Sequence, residues 1–223
     1  VVRSLPKLRP KGSKAFKMPT RCPVCESPVT REKDGVAHRC GNKECFPIQR
    51  EKIIHATGRS GFDIEGLGDK IIEQLLQEGL IEDPADLWSL TVGDLLPLEG
   101  FAQKSAENLV TEIQSTKEIP LARFLVALSI PQVGTITAQD IAKEFRTLKA
   151  VINLTASQAA LVPGVGEIVA EEISSFFALP QTKQLLKKYQ QAGIKVKNAR
   201  SGGKLFFYSF LFTESLSDMF CGD

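Results

Sequence analysis

Beyond Gly58, apolar residues recur at three- and four-residue spacing, as at Leu109, Val110 and Ile113. That period marks one face of an α-helix. It predicts helices over residues 70–78, 103–116, 121–128, 138–145, 168–177 and 182–192, separated by short Gly, Pro and Asp breaks. This part of the chain therefore reads as an all-α domain. Residues 22–45 carry little helical period. Residues 207–212, from Phe207 through Tyr208 and Phe210 to Phe212, are strand-like but are followed by too few residues to complete a sheet.

Composition adds a real core and an uneven charge. The 223 residues are 43% hydrophobic, enough for one large or several small domains. No apolar run reaches the roughly 18 to 20 residues that span a bilayer, and no signal-peptide core follows the basic start, so the expected location is the cytoplasm, as a monomer without a membrane partner. The formal net charge is +2, yet the first 59 residues hold 14 of the 28 Lys and Arg against five acids, a net +9, leaving −7 for the rest. Four zinc-bound thiolates would reduce the first figure to +7. Such a segment is either a footprint for a polyanion or a solvated basic linker. Residues 7–21 contain no acid and read as a linker. Val1 in place of an initiator methionine leads to the expectation of a processed chain or a piece of a longer one.

Cys22-Pro-Val-Cys25 and, fourteen residues on, Cys40-Gly-Asn-Lys-Glu-Cys45 form two close thiol pairs. Two tight turns, each presenting two sulfurs, close into a tetrahedral Zn²⁺ site. A redox Cys-x-x-Cys would not need the second pair, and a disulfide pair does not suit a cytosolic chain. With Cys22, Cys25, Cys40 and Cys45 as ligands, no position stays open for a substrate water, so the metal is expected to be structural. His38 is a less suitable substitute for Cys40, and Cys221 is left over.

A repeat follows. Ile64-Glu65-Gly66-Leu67-Gly68, Leu98-Glu99-Gly100-Phe101-Ala102, Ile130-Pro131-Gln132-Val133-Gly134 and Val162-Pro163-Gly164-Val165-Gly166 share one form at steps of 34, 32 and 32 residues. Ala106, Ala138 and Ala170 follow at one offset, where the first copy has Ile72. A fixed period of this size means a repeated supersecondary unit. A small-apolar-small hairpin between helices is expected to bury Leu67, Phe101, Val133 and Val165. It also leaves amide N–H groups facing outward at a helix N-terminus, where they suit a phosphate oxygen. Nothing in it reads base identity, so the expected partner is the backbone of duplex DNA. A dinucleotide loop would follow a strand with different glycine spacing. The competing readings are plain structural turns and a non-catalytic protein-interaction scaffold of helical repeats. A hairpin-containing glycosylase is a third, but no catalytic Lys/Asp pair stands out for it.

The order of a four-cysteine module and four hairpins resembles the C-terminal half of bacterial NAD-dependent DNA ligase. The resemblance runs over about residues 9–196, through "KMPTRCPVCESPV", "DIEGLGDKIIEQL", "PLARFLVALSIPQVGTITA" and "VPGVGEIVA". It implies a mainly α fold: a small four-cysteine zinc module at 21–58, then a tandem helix-hairpin-helix domain at 59–197. The end of an oligonucleotide-binding barrel and a linker would occupy 1–20, and an incomplete BRCT-like tail 198–223. It further implies an enzyme that seals nicks in duplex DNA during replication and repair, with NAD serving only an adenylation domain outside this chain. The chain alone is then expected to be inert, without catalytic or cofactor-binding residues. Lys33-Asp34-Gly35 lacks the spacer of the family's adenylated Lys-x-Asp-Gly and is assigned to a turn of the zinc module. Gly66, Leu67, Gly68, Gly100, Phe101, Val133, Gly134, Gly164, Val165 and Gly166 are the expected DNA contacts, with Lys70, Lys104 and Lys143 screening charge. Ala102 and Gln132 depart from the glycine pattern. If the second loop position needs a positive φ, Ala102 is the awkward residue, which favours the first and fourth hairpins.

Overall fold

A computed structural model describes residues 10, 12–14, 16–31 and 36–199. The strand expected over 207–212, Cys221 and the Lys33-Asp34-Gly35 turn lie outside them. The chain divides into two units, the first running through Lys117 and including Lys187–Gly193, the second comprising Glu118–Leu186 and the chain from Ile194.

The first unit opens with a two-stranded antiparallel ribbon, β1 (Val29–Arg31) and β2 (His38–Cys40), in register Val29 opposite Cys40 and Arg31 opposite His38. Helix α1 (Phe46–Thr57) follows, with Pro47 in its first turn, where a missing N–H costs nothing. Then come α2 (Asp69–Gln77), a 3₁₀ helix (Pro84–Ser89), α3 (Val92–Leu95) and α4 (Gln103–Ser115). Ile53, Ile72, Leu75, Leu87, Leu95 and Ile113 form the dry centre. Arg50 of α1 ties this helix to α2, lying 3.6 Å from Asp69 and 3.4 Å from Glu73.

The unit is closed by a segment distant in sequence. Tyr189, 2% exposed, stacks on Phe62 at 5.6 Å between ring centroids and meets Trp88 edge-on at 5.9 Å. Beside it the Lys188 ammonium donates to Asp83 at 2.6 Å and to Asp86 at 3.0 Å. Those carboxylates are already fixed, because Asp83 accepts from the Ala85 N–H and Asp86 from the Glu82 and Asp83 N–H groups at the start of the 3₁₀ helix. A helix cap and an ion pair thus share the same two carboxylates.

The second unit holds β3 (Glu118–Pro120), α5 (Leu121–Ala127), α6 (Thr135–Phe145), α7 (Leu148–Ile152), α8 (Ala156–Ala159), α9 (Glu167–Ala178), most of α10 (Pro180–Gln191) and β4 (Lys195–Lys197). β3 and β4 pair in parallel, Ile119 opposite Val196, and Lys197 meets Glu118 at 2.8 Å. A parallel pair needs a long crossover, supplied here by the helices between. Phe124, Leu125, Ile141, Ile173 and Phe177 fill the core. The expected helices are found within a few residues of their predicted ends. The two three-residue strand pairs were not legible, being too short for an alternation to register.

Candidate zinc centre and hairpin loops

The four cysteine sulfurs lie within 4.8 Å of one another, with Cys22 to Cys45 at 3.8 Å and Cys25 to Cys40 at 3.4 Å. A tetrahedron with Zn–S bonds of about 2.3 Å has edges near 3.8 Å, so the donor set fits this ion. Local backbone builds the cage. Cys22 to Glu26 form a turn in which the Glu26 N–H donates to the Cys22 carbonyl at 2.9 Å and Glu26 itself sits at φ 57°. The second pair spans from β2 to the N-cap of α1, which is Cys45. Without a cation the thiols are mismatched: hydrogen bonds from Ser27 hold Cys25 down at about 6, while burial and its sulfur neighbours push Cys45 up to about 12. A divalent ion removes the mismatch, because all four bind as thiolates. His38 is exposed, with Nδ1 3.2 Å from the Val36 carbonyl, and takes no part. The zinc is structural, since its four ligand positions are filled by protein.

In the hairpins, the two small positions do different jobs. The first is left-handed: φ is 80° at Gly66, 85° at Gly100 and 84° at Gly164. The N–H of the following apolar residue closes a four-residue turn, from Phe101 to Leu98 at 3.3 Å, Val133 to Ile130 at 3.1 Å and Val165 to Val162 at 3.0 Å. A positive φ at the third of four turn residues is what a type II turn requires. The second small position is a helix N-cap. Gly68, Ala102, Gly134 and Gly166 precede α2, α4, α6 and α9 with φ of −82°, −118°, −88° and −77°, backbone that any residue adopts.

This corrects the expectation about Ala102. Its methyl group causes no strain; the residue that bears the left-handed cost is Gln132, at φ 62°, worth about 1 kcal/mol or more. A second correction concerns burial. Leu67, Val133 and Val165 are buried as expected, but Phe101 is half-exposed and lines an open cleft. Ile72, Ala106, Ala138 and Ala170 are all buried, and each N–H donates to the N-cap carbonyl at 2.9–3.1 Å. That bond explains the fixed offset: the residue forms the first helical turn against the unit's interior.

None of the four N-caps has a side chain satisfying the first helical N–H groups. A Cβ at Gly68, Gly134 or Gly166 would meet no atom within 4 Å. Lys70 and Lys104 stand exposed two residues past their N-caps. Lys143 is in the last turn of α6, about 12 Å along the axis from that helix's start. The local charge differs between copies, which the sequence pattern did not bring out. In the first unit a cleft of about 1340 Å³ beside Gly66 and Gly100 is lined by Glu65, Glu73, Glu78, Glu99 and Glu112, with Lys70 as the cation in its lining. The third and fourth hairpins carry Pro131 and Pro163 where the first two carry Glu65 and Glu99.

Comparison with known proteins matches this geometry. Residues 21–45 match the NAD-dependent DNA ligase C4 zinc finger domain, residues 62–115 a SAM-like helix-hairpin-helix tandem and residues 123–186 a helix-hairpin-helix motif. The chain is 42% identical over 206 residues to a DNA ligase of Natronomonas pharaonis, covering 92% of this chain and 30% of that protein. It is 43% identical over 195 residues to one of Nitrosococcus oceani, with 87% and 29% covered, and 39% identical over 209 residues to one of Koribacter versatilis, with 93% and 31% covered. It therefore spans about a third of the length of these relatives. With a ligase-type zinc finger, a helix-hairpin-helix tandem, a further helix-hairpin-helix motif and such identity along nearly its whole length, the chain belongs to the NAD-dependent DNA ligase family, as its zinc-finger and helix-hairpin-helix portion.

Proposed function

We propose that this chain is the part of a nick-sealing, NAD-dependent ligase that holds the backbone of duplex DNA. NAD serves an adenylation domain elsewhere in such an enzyme, so no adenylate chemistry is assigned to the glycine loops. The observation that carries the reading is the open N-cap. Gly68, Gly134 and Gly166 are helix N-caps with no atom within 4 Å of where a Cβ would stand, so an incoming group can reach the first helical N–H groups unobstructed. Bare N–H groups at a helix start suit a phosphate oxygen.

On this reading Gly134, Gly164 and Gly166, with Val133 and Val165 setting the turns, make the stronger contacts. Gly66, Gly68, Gly100 and their turn residues Leu67 and Phe101 contribute beside an acidic cleft, helped by Lys70 and Lys104. The residue bounds stay as set out from the sequence, with zinc module 21–58 and four hairpin units over 59–197, and the chain acts as a monomer near nicks. Among the described residues no helix is long and apolar enough to cross a membrane. The test is the salt dependence of binding to a nicked duplex. Four phosphate contacts give a log–log slope of roughly −3 to −4. A slope near zero, or no binding at low salt, would favour the protein-interaction scaffold instead.

A further inference from the structure

The four hairpins differ at one further position. Two residues past the N-caps of α2, α4, α6 and α9 stand Lys70, Lys104, Ile136 and Ile168. All four are exposed, and the two isoleucines keep 70% and 74% of their surface open. A lysine is at home in water, whereas an isoleucine there leaves apolar area that burial would relieve. Apolar residues scattered singly over a surface are ordinary, but these two hold the same place in two copies of the repeat. A side chain at that place leans toward the helix start, which puts its apolar surface beside the open N–H groups. Within the second unit the two sites adjoin. The Asp140 carboxylate lies 3.8 Å from where a Cβ on Gly164 would stand, and Ile136 is one turn before Asp140 on the same face of α6. The first turns of α6 and α9, residues 135–138 and 167–170, hold no lysine or arginine, and α9 opens on Glu167. Charge therefore adds nothing to a backbone contact at these two helix starts.

We infer that Ile136 and Ile168 pack against the deoxyribose walls of the minor groove of duplex DNA, giving the second unit a contact whose strength does not depend on salt. The apolar surface nearest a backbone phosphate is the sugar, and apolar side chains of proteins enter the groove that the sugars wall. The inference rests on the duplex-binding reading above and goes beyond it in naming two side chains, a groove and the kind of contact. A lysine releases counterions on meeting a phosphate; an isoleucine releases none, so it adds affinity without steepening the salt slope. The first two hairpins thus add charge to their backbone contacts, and the last two add apolar surface.

The test compares the whole chain, zinc-loaded, with its Ile136→Ala/Ile168→Ala variant by anisotropy of a labelled nicked duplex across a salt series. Alanine removes three carbons from each side chain and introduces no polar group. If DNA covers about half of that area, each substitution weakens binding about eightfold and the pair roughly 60-fold, by the same factor at every salt concentration. The log–log slope and, because both positions are exposed, the thermal midpoint should stay as in the unsubstituted chain. Ile136→Lys/Ile168→Lys, which copies the first two hairpins, should instead steepen the slope by about 1.8. A minor-groove dye that saturates the duplex should erase the difference between the unsubstituted chain and the alanine variant; a difference that persists would overturn the groove assignment. Unchanged affinity in the well-folded alanine variant, or a lysine variant with an unchanged slope, would overturn this inference and leave the hairpin reading standing. So would self-association that the alanine variant loses while its duplex binding stays intact, since the isoleucines would then join copies of the chain. Failure of the unsubstituted chain to bind any duplex would overturn the hairpin reading, and this inference with it.

Discussion

Gly164 and Gly166 sit two residues apart, yet alanine should affect them in opposite ways. Gly164 is at φ 84° and a Cβ there meets only the Asp140 carboxylate, at an ordinary 3.8 Å. The cost of Gly164→Ala is therefore conformational, about 1–2 kcal/mol for the left-handed backbone, less about 0.4–1 kcal/mol gained by restricting the unfolded chain. A net loss near 1 kcal/mol lowers the thermal midpoint by about 2–4 °C for a chain of this size. Gly166 is at φ −77° with open space in front of it, so in Gly166→Ala the poorer N-cap, costing about 0.5–1 kcal/mol, is offset by about 0.4–1 kcal/mol from restricting the unfolded chain, a net change near zero. Its effect belongs to binding. The methyl group stands where a phosphate would approach the first N–H groups of α9, and hydrogen bonds to a charged group are worth about 1.5–3 kcal/mol, a tenfold to hundredfold loss of duplex affinity. Calorimetry and duplex anisotropy on both variants measure the two effects separately. Equal melting of the two would refute the assignment of turn and cap positions. Unchanged duplex affinity in Gly166→Ala would refute the phosphate contact.

Four further outcomes are expected. Gln132→Gly should raise stability by up to about 1 kcal/mol, by releasing a left-handed non-glycine residue, measurable as a higher urea midpoint. Tyr189→Ala should destabilise the first unit by about 3–5 kcal/mol, read by the fluorescence of Trp88, the only tryptophan; a cost below about 1 kcal/mol would mean that residues 187–193 do not anchor it. Acid should weaken the same unit. Burial pushes the Asp86 carboxyl up, but backbone N–H groups and the Lys188 ammonium more than offset it and hold it below the ordinary carboxylate value. A depressed folded pKa stabilises above the unfolded value and is lost as pH falls, so unfolding should become easier below about pH 4, and Lys188→Met should flatten that dependence. Chelation should remove one zinc per chain and unfold the ribbon of β1 and β2, with Cys45→Ser doing the same; normal ribbon signals in zinc-free protein would contradict the structural role.

The sequence by itself determined the zinc ligands, the helices α2, α4, α5, α6, α9 and α10 and the four loops, but not α1 or the short helices α3, α7 and α8. Each of these is written in local chemistry: thiol spacing for a tetrahedral ion, the 3.6-residue period, and glycine where a tight turn meets a helix start. What local pattern could not assign was the job of each small residue, because glycine serves both a positive φ and an open approach. Only backbone angles separated the turn position of Gly164 from the cap position of Gly166 and moved the strain from Ala102 to Gln132. Long-range contacts were likewise out of reach. Tyr189 lies 127 residues from Phe62 in the chain, and no periodicity announces that their rings stack or that Lys188 bridges Asp83 and Asp86. The charge of a surface is also tertiary: the sequence assigns a net sign to a segment, but folding decides that Glu65 and Glu99 share one cleft.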